Sequence, residues 1–129
     1  MEKRSGYLRI FDGVYVDVEF VINEERGCVA AVAKNCSELA LAVIDSDKYF
    51  RSVSYIEIQD GSKLSKDMKL NDSYSAVARC VAPDVFDVDY GIQIAFVKLF
   101  NKLNRAVYSR KCILAKEMLR IADRLILRS

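Results

Sequence analysis

The chain has 129 residues, 52% of them hydrophobic and 29% charged, with a net charge of +2. That composition excludes a largely disordered chain, and the length fits a single domain, residues 1–129, with a core of its own. No apolar run approaches the roughly 18 residues that span a bilayer, and no apolar stretch follows the charged start Met1-Glu2-Lys3-Arg4 as a signal peptide requires, so a cytoplasmic protein is expected.

The N-terminal third reads as a β-meander. Tyr7 to Phe11 forms a short strand, and Asp12-Gly13 signals a hairpin of type I′, which needs positive φ at both central residues. Val14, Val16, Val18, Phe20 and Ile22 then alternate with Tyr15, Asp17, Glu19 and Val21, the period-2 pattern of a strand with one buried face. Asn23 to Gly27 is a turn, and Cys28 to Lys34 returns as a third strand.

A short helix over 36–45 follows, with Asn35 as its cap and Glu38 closing a capping box. Val53 to Gln59 alternates as a strand and leads to a second hairpin signal at Asp60-Gly61. Ser62 to Asn71 is polar and reads as an edge strand or a long solvated loop, its three lysines (Lys63, Lys66, Lys69) falling on alternating faces. Asp72 to Val81 is a strand that sets Tyr74, Ala76, Ala78 and Cys80 on one side, and the only proline, Pro83, comes after it.

The remainder, Val88 to Arg128, is apolar and basic and contains no proline. Asp84 and Asp87 are its candidate caps, and Asp89 suits the positive end of the helix dipole. Gly91 costs a helix roughly 1 kcal/mol against alanine, so its place in the first turn implies that a strand or an aromatic ring passes close by. Ile92, Phe96, Leu99 and Leu103 make one apolar face, which Val107, Leu114, Met118, Ile121 and Leu125 can continue. The pattern fits one helix or a helix pair. Its apolar width exceeds one stripe, which suits a neighbouring element or a homodimer through this helix.

Charge is unevenly divided. From Ile94 to Ser129 there are nine Lys or Arg and two acids, Glu117 and Asp123, giving about +7 against about −5 for the first 93 residues. Lys98, Lys102 and Arg105 step by four and three, and Lys116, Arg120 and Arg124 step by four. Like charges at these spacings destabilise an isolated helix by a few tenths of a kcal/mol each. These six are therefore the candidate partner-binding residues, for an acidic protein surface or for sites that otherwise hold guide RNA or target DNA.

Catalysis finds little support. The chain has no histidine, no Gly-x-Ser-x-Gly and no glycine-rich phosphate loop. The carboxylate groups Asp45/Asp47 and Asp84/Asp87/Asp89 read as turns and caps, and Cys28, Cys36, Cys80 and Cys112 are too dispersed for a zinc site and read as buried thiols. No catalytic residue, cofactor or metal is expected.

At Ala78 to Ala95 the chain resembles small proteins carried by bacteriophages and mobile elements, which end in a strand, a Cys-x-Pro-x-Asp-x-Phe-Asp-x-x-x-Gly turn and an Ile-Ala helix. The positions here are Cys80, Pro83, Asp84, Phe86, Asp87, Gly91, Ile94 and Ala95, with Val81-Ala82 standing between the cysteine and the proline. The resemblance implies a non-enzymatic accessory protein acting in the host cytoplasm against a defence component, with an anti-CRISPR inhibitor of a Cas effector its most concrete form. A second resemblance is one of element order, α-β-β-β-α, to double-stranded-RNA-binding domains, although those carry lysines where Asp87 and Asp89 stand here. A nucleic-acid-binding module and a sponge for a nucleotide signal are the alternatives. The expected architecture is α+β: an antiparallel sheet of hairpins packed against a long C-terminal helix or helix pair, with one short internal helix.

Overall fold

The structure, a computed structural model, describes residues 1–47, 63–81 and 85–128. Four strands form one antiparallel sheet in the order β1 (Glu2–Phe11), β2 (Val14–Asn23), β3 (Cys28–Ala33) and β4 (Tyr74–Arg79). Three helices accompany it among the described residues: α1 (Leu39–Ser46), α2 (Lys63–Met68) and α3 (Val88–Arg128). This is the expected α+β architecture. The predicted strand 53–59, the Asp60-Gly61 hairpin and the Asp84 cap lie outside the described residues.

The meander forms as its alternation requires, with two differences. β1 extends back to Glu2, because the ladder to β2 continues to a Glu2–Ile22 pair although the first residues lack an apolar pattern. The turn at Asp12-Gly13 is not type I′, since only Gly13 has positive φ, at 77°. A register irregularity between Arg9 and Phe11 accompanies it.

The side chains on the covered face of the sheet decide where α3 lies. β1 and β2 present Leu8, Val14, Val16, Val18, Phe20 and Ile22, whereas β3 and β4 present mostly alanine: Ala31, Ala33, Ala76 and Ala78, with Val29. A helix approaches most closely where the side chains beneath it are small, and α3 packs principally on β3 and β4. Its buried residues Ala95, Leu99, Leu103 and Val107 recur every four positions along that line. Ile92, Phe96 and Phe100 are half-buried beside them, and the rings of Phe96 and Phe20 lie 6.3 Å apart. α3 is a single helix of 41 residues, which resolves the alternative of a helix pair.

The entry to α3 follows the sequence reading. Asp87 caps it, Oδ1 accepting from the Tyr90 amide at 3.2 Å. Gly91 is where two elements meet: a Cβ there would stand 2.9 Å from Val29 Cγ2 on β3 and 3.3 Å from Phe86 Cε1. The strand and the aromatic ring that the glycine implied are both present.

Two predicted segments are overturned. The capping box at Asn35 and Glu38 does not form: Asn35 has φ 59°, Glu38 takes the N-cap position, and no side chain caps the helix. The backbone there is held instead by distant partners, with Cys36 donating to Asp72 O at 2.8 Å and Leu70 donating to Ser37 O at 3.0 Å. The stretch read as an edge strand or loop contains α2. Met68 and Leu64 reach a second small core with Ile44, Leu41, Leu114 and Met118, while Lys63 and Lys66 are exposed. The α-β-β-β-α order therefore fails at 63–68, and with it the resemblance to double-stranded-RNA-binding domains. Lys111 ties the two cores together, donating to Asp47 Oδ2 at 3.0 Å with its ammonium 5.1 Å from the centre of the Phe11 ring. No helix among the described residues is long and apolar enough to cross a membrane.

Candidate binding surface

Among the described residues the sheet has two edges, β1 and β4. On β4 the direction of the backbone follows from one hydrogen bond beyond the strand. Cys80 N donates to Gly27 O at 2.8 Å, so Ala78, Ala76 and Tyr74 turn their backbone groups toward β3 and the alternate residues turn theirs outward. Two of these outward carbonyls are occupied. Lys98 Nζ donates to Val77 O at 3.2 Å and Lys102 Nζ to Ser75 O at 2.6 Å. Charged cover of this kind keeps an edge strand from pairing with another chain.

The structure thus divides the six candidate binding residues. Lys98 and Lys102 lie along the flank where α3 passes β4, and Arg105 follows on the same helix face a turn further on, where it borders a pocket shared with Ile10, Phe11 and Val43. Along the flank Lys98 and Lys102 have a folding role that spacing alone did not reveal. Lys116, Arg120 and Arg124 lie on the tail of α3. Within that group Arg120 is taken by Glu117, donating through Nε at 3.0 Å and through Nη2 to the other carboxylate oxygen. The hydrogen bond from Arg120, helped by the nearby charge of Arg124 and Lys63, holds the Glu117 carboxyl below the usual carboxylate range. Part of the like-charge repulsion on the tail is offset inside the chain.

Pairing sorts the cations differently from spacing. Lys3 meets Glu19, Arg4 meets Glu2 and Asp89, Arg9 meets Asp12, Lys69 meets Glu38, and Lys111 meets Asp47. Along the α3–β4 flank Arg79, Lys98, Lys102 and Arg105 have no carboxylate within 4 Å among the described residues, and the same holds for Lys116 and Arg124 on the tail and for Arg26, Lys34, Lys63, Lys66 and Arg110 elsewhere. Arg79 was not among the predicted residues. Its signal was its place, with Ser75 and Val77, on the polar side of the alternation in β4.

The α3–β4 flank also borders a cavity of about 520 Å3, where β4 ends and α3 begins, with Arg79, Val81, Phe86 and Ile94 among its walls. Other features of the molecule bear less on function. Burial, assisted by the charge of Asp72, pushes the Cys36 thiol up, so this cysteine is an inert part of the core. No group of three or more Cys, Asp or Glu side chains able to hold a metal occurs among the described residues. Comparison with protein-family models, with curated proteins and with solved structures finds no match.

Proposed function

We propose that this chain is a non-enzymatic binding protein whose α3–β4 flank engages an acidic surface of another protein. The observation that supports this reading is that Arg79, Lys98, Lys102 and Arg105, which have no carboxylate partner among the described residues, lead away from a cavity that Arg79 lines. Electrostatic complementarity of this sort speeds encounter and selects the partner. The biological form we favour is a phage or mobile-element protein that blocks a host defence component, a Cas effector being the most concrete target. That form rests on the resemblance carried by Cys80, Pro83, Asp84, Phe86, Asp87 and Gly91.

The second reading, binding of nucleic acid, uses the same cations, but a line of four is short, and the overall pI of about 8.3 lies below the value above about 9 typical of dedicated nucleic-acid binders. Affinity capture from bacterial lysate with mass spectrometry, run with and without nuclease, separates the two. A captured defence protein that survives nuclease is the expected result. Capture abolished by nuclease favours nucleic acid, and recovery of no defence protein sinks the favoured form.

A further inference from the structure

The cavity adjoins the line of cations, since Arg79 is one of its walls. α3 runs antiparallel to β4: Gly91 and Ile94 lie by the cavity with Arg79 and Cys80, Lys98 lies by Val77, and Lys102 lies by Ser75. The cavity therefore opens at one end of the line formed by Arg79, Lys98, Lys102 and Arg105, and seven residues of helix from Lys98 to Arg105 span about 10 Å. The cavity wall is more apolar than polar, and several of its apolar side chains are exposed. Val81 is 71% exposed, Val85 91% and Tyr90 64%, and all three line it. Large apolar side chains gathered at one opening mark a binding surface rather than ordinary scatter. The one carboxylate among its described lining residues, Asp87, is engaged by the Tyr90 amide.

We infer that this surface holds an acidic linear segment of a partner protein, with one apolar side chain of that segment seated in the cavity as its anchor. The inference rests on the reading that the α3–β4 flank binds acidic protein, and it adds the form of the ligand. A cavity of about 520 Å3 falls within the range of pockets that enclose a ligand group, roughly 300–1,000 Å3. An apolar centre beside a charged line is the arrangement in which one buried anchor carries most of the affinity. The segment does not join β4 as a fifth strand, because Lys98 and Lys102 occupy the outward carbonyls of Val77 and Ser75.

Two fluorescein-labelled peptides test this by fluorescence anisotropy: a dodecamer of Glu and Gly with one central Phe, and its twin with Ser in that place. The Phe peptide is expected to bind about tenfold tighter, the factor that burying one apolar side chain brings. Tyr90→Ser and Ile94→Asn should each erase that preference, and the double variant Arg79→Glu/Arg105→Glu should weaken both peptides. Tyr90 is exposed, so its variant leaves the fold intact even if Ile94→Asn does not. Equal affinity for the two peptides, still reduced by charge reversal, overturns the anchor and leaves the acidic-surface reading standing. Binding insensitive to charge reversal, or no binding of either peptide at millimolar concentration, overturns both.

Discussion

At Gly91 one hydrogen atom is all the space that β3 leaves to the first turn of α3. A methyl group there would come 2.9 Å from Val29 Cγ2, and Val29 is itself fully buried and has no room to withdraw. Gly91→Ala gains roughly 1 kcal/mol of helix propensity and loses about 1–3 kcal/mol to overpacking. The expected outcome is a net loss of stability in denaturant unfolding followed by circular dichroism, and a gain would contradict the packing described. This glycine was legible in the sequence because it sits where a helix former belongs, and so was the cap at Asp87. Asn35 misled for a physical reason. Its segment is held by backbone bonds from Cys36 to Asp72 and from Leu70 to Ser37, and no local pattern announces partners more than thirty residues away.

Among the elements, β4 and α3 are the pair that carries both the packing of the sheet and the proposed binding surface. The alternation of Tyr74, Ala76 and Ala78 against Ser75, Val77 and Arg79 identified the strand, and the apolar steps from Ile92 to Leu103 identified the helix. The alanines that bring the two close were visible as well. Their meaning was not, because strand order decides which face they share. α2 escaped detection because six residues give too little length for a helical period to stand out from a polar loop. Lys98 and Lys102 were singled out for binding alone, and their spacing did not show that they cover the outward carbonyls of β4. Replacing both by alanine exposes that edge. Lys98→Ala/Lys102→Ala is expected to change the melting temperature little and to promote concentration-dependent self-association, read by size-exclusion chromatography with light scattering. A variant that stayed monomeric across the concentration range would show that the lysines do not guard the edge.

Across the whole molecule, the division of charge along the chain gave way to a division by pairing. The basic excess after Ile94 pointed to α3 as a whole, yet folding pairs Lys111 with Asp47 and Arg120 with Glu117. Lys116 and Arg124 stay without a carboxylate partner on the tail, and so does the line beside the cavity, which draws Arg79 from the acidic part of the sequence. Sequence spacing has no access to that outcome, because pairing across elements depends on where the strands lie. The central claim is that this flank, rather than the tail of α3, is the binding surface. It is tested most directly by quantifying the nuclease-resistant protein captured by two charge-reversed variants, Arg79→Glu/Arg105→Glu on the flank and Lys116→Glu/Arg124→Glu on the tail. The flank variant is expected to lose about tenfold or more of the captured partner, as removal of two complementary charges at an interface allows, while the tail variant captures as the unaltered protein does. Loss on reversing the tail with the flank variant unaffected would contradict the claim.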